Sequence, residues 1–465
     1  MTAAGETSNP ASGIAAGQRV AYEALVGNQD GAFTIARPPL FSPAASVQDR
    51  SNPRGWFGSF GPLFLPAEYS DGWVQETAAH VQSAYLGDWS SLAKVNVRGP
   101  QARAFLSWLG MNDLSDFAIG QIKHHVQLDE HAWIASEGVI CRLDEDEYLY
   151  TAGSGDWLLW QFSQGSWDAE AVEVSPEGFI FGVQGPSSLA IVEAAAGESV
   201  RDIDFNRSRA ATIAGADVRL LRTGISGELG YEIHGHADDA PRVWAAVEAA
   251  GEGHQLKLLG IRSQPVQHIE AGIATNGLDY MPAAAITPGA PRQFRRGNIG
   301  GSFVPAAFTD YFRRPDELGW GPRGDVRVGD FLGREALLAA REQPQRKLVG
   351  LRWDPQGVID VLASLFAGAA EIVDQMEFPR LAGPSFDQVL SAGRAAGVST
   401  GRTVSTNLRA TISLAVIEPE YAAAGTELEV IWGRPGTPQR TIGARVVALP
   451  FKPDNRRRPL DSPPG

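Results

Sequence analysis

Residues 221–235, LRTGISGELGYEIHG, combine a carboxylate with closely spaced glycines. Gly224, Gly227 and Gly230 let the backbone turn sharply and approach a flat ligand closely, because glycine has no Cβ atom. A carboxylate beside such a surface can accept two hydrogen bonds from adjacent N–H donors of a heterocycle such as a pterin. Glu232, in the strand that follows, is therefore the candidate ligand-binding residue. The alternative is a polar residue on the solvated face of that strand.

Other catalytic patterns are absent from the sequence. No G-x-S-x-G segment stands between a strand and a helix as a nucleophile elbow, and the sequence contains no GxxxxGK[ST] phosphate loop and no His/Cys/Asp cluster with metal-ligand spacing. The single cysteine, Cys141, lies in the apolar run GVICRL and is interpreted as a small buried hydrophobe. A reaction without a metal is therefore favoured.

The composition indicates a globular protein that acts on a small molecule. The net charge of −14 argues against a nucleic-acid partner. No stretch approaches eighteen apolar residues, and the first residues do not resemble a secretory signal, so no membrane association and a cytoplasmic location are expected. The basic run at 456–458 lies in a Pro-rich tail, 454–465, that is expected to be disordered and solvated.

Alternating strands and helices predict a mixed α+β body over residues 55–281. Two similar cycles suggest two related, interleaved lobes. The first contains the strands KVNVRG, IKHHVQL and EYLYTA with the helices GPQARAFLSWLG and WLLWQFSQ. The second contains the strands FIFGVQ, ADVRLLRTG and YEIHG with the helices GPSSLAIVEAAA and DAPRVWAAVEAAG.

Three further regions flank this body. Residues 1–54, rich in Ala, Gly, Ser and Pro, predict a flexible N-terminal arm. Residues 282–345, rich in Pro, Gly, Arg and aromatics, predict a connector. Residues 346–453 contain the segments KLVGLRW, TISLAVI, TELEVIWG and RTIGARVVAL, whose alternation predicts a small β-domain.

Five segments together resemble the folate-dependent aminomethyltransferase family, the family of the glycine cleavage T-protein. They are FLSWLGMNDL with Gly120 and Gln121, then FGVQGP, RTGISGELGYE, LGIRSQPVQHIEAGI, and a C-terminal set of GVSTGR, TISLAVI, GTELEV and VVALPF. Within that family, PAEYSDGW, GNIGGSFV, DELGWGP and LASLF resemble the tetrahydrofolate-dependent O-demethylases of vanillate- or syringate-like acids. The resemblance covers residues 55–453.

The resemblance implies a three-domain cloverleaf ring with a C-terminal barrel-like domain and a central folate channel. It implies that Glu232 grips the pterin and that Gln184 lines the same channel, with Gly230 beside them. Asp113 matches an aspartate near the folate N5 and the substrate amine, although an Asp after Asn also commonly closes a turn. Arg262 matches an arginine that can hold a carboxylate, with a surface ion pair as the alternative.

The sequence also departs from the family. Ile225 replaces a tyrosine of the aminomethyltransferases. Three residues of the O-demethylases are replaced in this chain. The resemblance places a histidine near Ser91, a tyrosine at Gln264 and an aromatic residue at Ile273. Their substrate-carboxylate arginine after the strand EYLYTAG is also missing.

Protonation of a leaving oxygen therefore needs another acid. The available residue types are His124, His125, Tyr231 and Tyr280, each of which could equally be structural. Because neighbouring residues of a strand point to opposite faces, only one of the two histidines can face a site. His124 and Tyr231, with Asp113, are taken as the catalytic candidates.

The resulting prediction is an enzyme that moves a methyl group from a small methoxylated, aromatic compound to N5 of tetrahydrofolate. Its partner is a small-molecule methyl donor, and the chain is expected to be a monomer or homodimer. Amine-directed one-carbon transfer, of the aminomethyltransferase or dimethylglycine type, and a non-catalytic folate-binding protein are the alternatives.

Overall fold

A computed structural model describes residues 13–26, 40–290, 299–320, 329–368, 371–378 and 383–460. Within these ranges the helices are α1 Ile14–Val26, α2 Ala45–Gln48, α3 Trp73–Gln82, α4 Ala102–Leu109, α5 Asp156–Gln164, α6 Ser188–Ala196, α7 Ala240–Gly251, α8 Gln264–Glu270, α9 Arg334–Arg341 and α10 Pro355–Ala363.

Strands make up two open sheets, a hairpin and a barrel. In chain order they are β1 Phe57–Phe60, β2 Leu63–Pro66, β3 Tyr85–Asp88, β4 Ala93–Arg98, β5 Ile122–Leu128, β6 Ile134–Asp144, β7 Glu147–Ala152, β8 Glu170–Glu173, β9 Gly178–Gln184, β10 Ser208–Ile213, β11 Ala216–Leu221, β12 Gly230–His236, β13 Lys257–Leu259, β14 Lys347–Trp353, β15 Phe386–Ser391, β16 Arg394–Ser405, β17 Ala410–Ile417, β18 Glu427–Trp432 and β19 Arg440–Val447.

The first open sheet has six strands in the order β10-β11-β12-β9-β3-β13. Strand β9 lies inside this sheet, between β12 and β3, and its sequence is a nearly continuous apolar run. Phe179 and Phe181 of this strand pack in one core with Trp244 of α7. The register of β9 and β12 pairs Gln184 with Gly230 and Gly182 with Glu232. This pairing brings two residues of the predicted site onto neighbouring strands.

The second open sheet has five strands in the order β5-β6-β7-β4-β8. Helices α4 and α5 cover one face, where Phe105, Leu106 and Leu158 are fully buried. Strands β5 and β7 coincide with the predicted strands IKHHVQL and EYLYTA. The eleven-residue strand β6 was not predicted, since its sequence IASEGVICRLD lacks a regular alternation.

The C-terminal strands form a closed barrel in the order β14-β17-β16-β15-β18-β19. Its core contains Leu351, Val389, Val430 and Ile442, all fully buried. The barrel confirms the predicted C-terminal barrel-like domain, and the two sheets confirm the predicted mixed α+β class.

Helix α8 is fixed against both the first sheet unit and the barrel. His80 of α3 lies 2.9 Å from Glu270 of α8, measured from Nε2 to Oε2, and both side chains are fully buried. Ser405 of β16 donates a 2.6 Å hydrogen bond to the other carboxylate oxygen of Glu270. A buried carboxylate held by several donors fixes its element firmly, so α8 can position side chains accurately.

The C-terminal tail differs from the disordered segment that composition predicts. Lys452 Nζ lies 2.5 Å from Glu228 Oε1, and Asn455 Nδ2 donates a 2.8 Å hydrogen bond to Glu228 Oε2. The backbone N–H of Asn455 donates to the carbonyl of Gly227 at 2.8 Å. Because Glu228 is buried, these donors satisfy its charge, and the tail through residue 460 lies against the glycine-rich turn. Residues 461–465 lie outside the described residues.

The predicted flexible arm also has ordered parts. Helix α1 packs on the first sheet unit, where the backbone N–H of Ala15 donates a 3.1 Å hydrogen bond to Asp238 Oδ1. Residues 40–54 include α2, and Ser42 Oγ donates to Asp88 Oδ2 at 2.5 Å. Residues 1–12 and 27–39 of this arm lie outside the described part of the chain, as do residues 291–298 and 321–328 of the predicted connector.

Among the helices that the structure describes, none combines the length and the apolar character needed to cross a bilayer.

Candidate active site between the two open sheets

A cavity of about 1620 Å³ lies between the two open sheets and the segment 264–278. Its walls include most of the residues that the sequence singles out. Those on the first sheet unit are Gln184, Gly224, Ile225 and Glu232, and those on the second are Asp113 and His124.

Gln184 occupies a space that glycines leave open. It is 1% exposed, and its Oε1 accepts a 3.1 Å hydrogen bond from the backbone N–H of Ser226. A Cβ at Gly230 would lie 2.6 Å from Gln184 Cγ, and a Cβ at Gly224 would collide with the Gln184 amide. Gly230 itself does not line the cavity, so it acts by making room for Gln184.

Glu232 faces the cavity from β12. Its Oε2 lies 2.9 Å from Nε2 of His234, two residues along the same strand face, and the two side chains are 18% and 10% exposed. A carboxylate has about four lone-pair positions, so the histidine leaves acceptor capacity for a ligand. The period of a strand could have identified His234 as a neighbour of Glu232.

Asp113 lies on the exposed edge of the cavity. Its Oδ1 accepts a 2.8 Å hydrogen bond from the backbone N–H of Ser115, and its Oδ2 accepts one of 2.8 Å from Ser115 Oγ. Lys123 Nζ donates to its backbone carbonyl at 2.8 Å. Asp113 therefore closes the turn after α4, as the alternative interpretation holds, and it does so at the cavity wall.

His124 and His125 point to opposite faces of β5. His124 lines the cavity, where its Nε2 lies 2.9 Å from Glu137 Oε2 and its ring meets the Trp320 ring edge-on at 4.9 Å. His125 lies in the core, with Nε2 2.8 Å from the carbonyl of Leu106, and burial lowers its pKa to about 4. Only His124 is placed to exchange a proton with a ligand.

A second histidine–carboxylate pair, not predicted from the sequence, lies on another wall. His268 of α8 lines the cavity, and its Nε2 lies 3.2 Å from Asp279 Oδ2. Asp279 also accepts hydrogen bonds from the backbone N–H of Thr275 at 2.8 Å and from Thr400 Oγ1 of the barrel at 3.0 Å. These donors orient the carboxylate, which lies within ion-pair distance of the imidazole but accepts no hydrogen bond from it.

Tyr231, Tyr280 and Arg262 lie outside the cavity lining, which corrects their predicted roles. Tyr231 is on the face of β12 opposite Glu232, in the apolar core, where burial raises its pKa to about 12. Tyr280 is fully buried, and burial raises its pKa well above the usual value. Arg262 Nη1 lies 2.7 Å from Glu68 Oε2, with the Trp56 ring 4.6 Å from its guanidinium, so it forms an ion pair, but a largely buried one and not the surface pair given as the alternative.

The positions that depart from the family do line the cavity. Ser91, Ile225, Gln264 and Ile273 all belong to its wall. Gln264 Nε2 donates a 3.1 Å hydrogen bond to the carbonyl of Asp88, so this side chain is turned partly into the protein. Since these positions face the space that would hold a ligand, the departures change the chemistry of the cavity.

The ordered C-terminal tail supplies a basic wall that sequence reasoning missed. Arg456 and Arg457 line the cavity beside Phe205 and Arg207, and the guanidinium of Arg457 lies 5.1 Å from the Phe205 ring. A Pro-rich, charged composition is typical of a solvated end, and only the contacts to the buried Glu228 reveal the packed position of the tail.

Comparison with known proteins defines the class. Residues 48–288 match the GCVT N-terminal domain family, which is more than half of the chain, so this protein belongs to that family. Its fold resembles the glycine cleavage system aminomethyltransferase T from Bartonella henselae, with a TM-score of 0.69, 20% identity, and coverage of 90% of this chain and all of that one.

Two relatives refine the position within the family. The chain is 36% identical to sesamin methylene transferase of Sinomonas sp. (strain No.22), over 84% of this chain and 91% of that protein. It is 31% identical to syringate O-demethylase of Sphingobium sp. (strain NBRC 103272 / SYK-6), over 81% and 86% of the two chains. The aminomethyltransferase of Symbiobacterium thermophilum is 27% identical. These findings confirm the predicted one-carbon-group transferase and its resemblance to the demethylase branch.

Proposed function

We propose that this protein transfers a methyl group from a small aromatic ether to N5 of tetrahydrofolate. The observation that carries the proposal is one cavity in which Glu232 and Gln184 lie with two histidine–carboxylate pairs. The first two residues can recognise a pterin, and a histidine can protonate a departing oxygen. The demethylase and methylene transferase relatives support this reaction class.

The residues of the first sheet unit fit tetrahydrofolate. Glu232 offers carboxylate acceptors for the ring N–H and amino groups of the pterin, and the buried Gln184 amide offers a neutral partner next to it. Gly182 and Gly224 make room for the Trp89 ring and the Gln184 amide, which both line the cavity, since a Cβ at Gly182 would lie 2.8 Å from Trp89 Nε1. Arg457 offers positive charge to the glutamyl carboxylate of the same molecule, whereas Arg456 beside it is already paired with Asp454 at 2.7 Å.

The reaction requires little covalent chemistry from the protein. The folate supplies a nucleophilic nitrogen, to which the carbon moves as the ether bond breaks. The cavity holds donor and acceptor in line and limits access of water. The ether oxygen gains the electron pair of the broken bond and needs a proton, which His124 can deliver while Glu137 holds its ring. The nitrogen that accepts the methyl group loses its own proton, so one proton is gained and one is lost overall. Trp320 and Phe331 in the same wall favour an aromatic donor.

The direct test is incubation with tetrahydrofolate and a panel of methoxybenzoates, methoxyphenols, methylamines and methyl sulfides. We expect 5-methyl-tetrahydrofolate and the matching phenol from a methoxylated aromatic compound, detected by mass spectrometry. Transfer from a methylamine alone would move the assignment to amine chemistry. Tight folate binding without product from any donor would favour a non-catalytic folate-binding protein.

Methylene transfer is a second candidate, because two histidine–carboxylate pairs face one cavity and the 36% identical relative is a methylene transferase. A carbon bridging two ring oxygens would form bonds to two nitrogens of the folate as both carbon–oxygen bonds break, so that each oxygen gains a proton and each nitrogen loses one. His124 and His268 could each serve one oxygen. Formation of 5,10-methylene-tetrahydrofolate and a catechol from a methylenedioxybenzene would identify this reaction.

Tetrahydrofolate is expected to stabilise the protein. A ligand that binds only the folded chain adds about 2.7 kcal/mol to the free energy of unfolding at one hundred times its dissociation constant. Differential scanning calorimetry with increasing tetrahydrofolate should therefore show a rising melting temperature. The increase should be lost in the Glu232→Ala variant, and a wild-type melt that does not respond to saturating folate would contradict the proposed cofactor.

Asp113→Asn is expected to separate ether chemistry from amine chemistry. In an amine reaction a carboxylate stabilises positive charge on nitrogen, so its removal should cost several orders of magnitude in turnover. In ether cleavage negative charge grows on oxygen, and Asp113 is already hydrogen-bonded to Ser115. We expect a loss below about tenfold on a methoxylated donor, with folate affinity unchanged.

Steady-state kinetics and folate titration check this prediction, and Asp116→Asn, three residues further along the chain, is the matched control. A much larger loss of turnover on the true substrate would favour amine-directed transfer over ether cleavage. A cytoplasmic location and a monomeric or homodimeric state stay predictions.

A further inference from the structure

The carboxylate of Glu232 has one hydrogen-bond partner among the residues that the structure describes. Nε2 of His234 lies 2.9 Å from Glu232 Oε2. The cross-strand neighbours of Glu232 are Leu221 on β11 and Gly182 on β9, one apolar and one without a side chain. Neither neighbour can donate a hydrogen bond from a side chain, so the orientation of the carboxylate depends on His234.

His234 reaches Glu232 from outside the cavity lining. The two residues stand two positions apart on β12, so their side chains lie on one face of the strand. Glu232 lines the cavity and His234 does not, and the histidine side chain is 10% exposed. An effect of His234 on a ligand in the cavity must therefore pass through the carboxylate.

The direction of this hydrogen bond follows from the chemistry of the pair. An ionised carboxylate only accepts hydrogen bonds, so Nε2 of the His234 imidazole carries the hydrogen and donates it. The bond uses one acceptor position of Oε2, while Oε1 accepts no hydrogen bond from the described residues. The imidazole therefore fixes one oxygen and leaves the other to a ligand.

We propose that His234 is a positioning residue for tetrahydrofolate, which holds the Glu232 carboxylate in the orientation that the pterin N–H groups require. The inference rests on the proposed function, in which Glu232 binds the pterin. A glutamate side chain has several rotatable bonds, and ordering them during binding would reduce the affinity for the ligand. His234 orders the carboxylate before the ligand binds, so its loss weakens folate binding and leaves the transfer step unchanged.

Two amide substitutions test this role by titration calorimetry of the full chain with tetrahydrofolate. The Nε2 atom of glutamine is as many bonds from Cβ as Nε2 of histidine, whereas Nδ2 of asparagine is one bond closer. We expect His234→Gln to bind within about threefold of wild type and His234→Asn to bind about tenfold more weakly. His236→Asn, at the exposed end of the same strand, is the matched control and should bind as wild type does.

The Glu232→Ala background shows whether His234 acts through the carboxylate. In that background His234→Asn should change the dissociation constant less than about twofold, because the group that it positions is gone. Turnover at saturating tetrahydrofolate should be equal in wild type and His234→Asn. A tenfold effect that persists without the carboxylate would overturn the inference and leave the proposed function intact. Equal affinity of wild type and a folded His234→Asn variant would do the same.

The hydrogen on Nε2 can be observed without a ligand, so the contact is testable even if His234→Asn does not fold. Long-range proton–nitrogen correlation spectra of the wild type should show a protonated Nε2 on His234, whose signals are assigned by their absence from His234→Gln. A bare Nε2 would overturn the inference. Failure of the wild type to bind tetrahydrofolate would instead contradict the proposed function, and the inference with it.

Discussion

Replacement of Glu232 by alanine is expected to weaken tetrahydrofolate binding by about 2–4 kcal/mol, the scale for truncating one partner of a buried, charge-assisted pair. This corresponds to an increase of the dissociation constant of roughly 30- to 700-fold. The carboxylate faces the cavity, is largely buried, and is held from one side by His234 at 2.9 Å. Calorimetric titration with tetrahydrofolate measures the effect.

Two further variants distinguish a loss of folate recognition from a general loss of folded structure. Glu232→Gln keeps the shape and one acceptor but loses the charge, so its affinity should fall between those of wild type and alanine. Glu170→Ala removes an exposed carboxylate on β8, paired with Arg98, and should bind folate as wild type does. If Glu232→Ala binds tetrahydrofolate as tightly as the Glu170 control, the assignment of the pterin to this part of the cavity is wrong.

Replacement of His124 by glutamine is expected to lower turnover on a methoxylated donor by about 10²- to 10⁴-fold, the usual range for loss of a general acid. Tetrahydrofolate affinity should be unchanged, because His124 lies on β5, while Glu232 and Gln184 belong to the other sheet. Glu137→Gln should give a smaller loss, since Glu137 orients the imidazole and need not touch the substrate. Single-turnover kinetics with saturating folate measures both variants.

The dependence of the turnover loss on the leaving group distinguishes a general acid from a residue with a purely structural role. A nitro-substituted methoxyphenol releases a stable phenolate and needs little protonation, so the loss in His124→Gln should shrink to below about tenfold with that donor. The same pair of donors should be applied to His268→Gln. If the loss in His124→Gln is the same for both donors, while that in His268→Gln depends on the leaving group, the proton comes from His268 and Asp279.

The sequence contains enough information to place Glu232 and Gln184, the proposed pterin-binding residues, but not the proposed acids. Gln184 ends a nearly continuous apolar run and Glu232 lies on a strand in which Tyr231 and Ile233 alternate with polar residues, while the glycines between the two strands have a local meaning that is independent of tertiary contacts. The predicted α+β class follows from such segments, and the cloverleaf ring from the family resemblance. For these reasons the strand pair β9–β12 could be identified without coordinates.

The histidine pairs depend on contacts between distant segments, and no sequence pattern encodes them. Glu137 meets His124 only because β5 and β6 pair in one register, and Asp279 is oriented by Thr400 of the barrel. Tyr231 was predicted as an acid from its residue type, and this prediction is wrong. Neighbouring residues of a strand point to opposite faces, so Tyr231 points into the core when Glu232 faces the cavity. That alternation was available in the sequence and should have excluded Tyr231.

The contact of Lys452 and Asn455 with Glu228 has a consequence for how this protein can be divided. The partners are separated by 224 and 227 positions, and the matched family domain ends at residue 288, far before the tail. The domain that the family model matches is therefore smaller than the unit that forms the cavity. We expect a fragment limited to residues 48–288 to leave Glu228 as a buried, unpaired charge and to lack the basic wall. The family domain can be recognised by itself, but we expect ligand binding to require the whole chain, because residues beyond 288 also line the cavity.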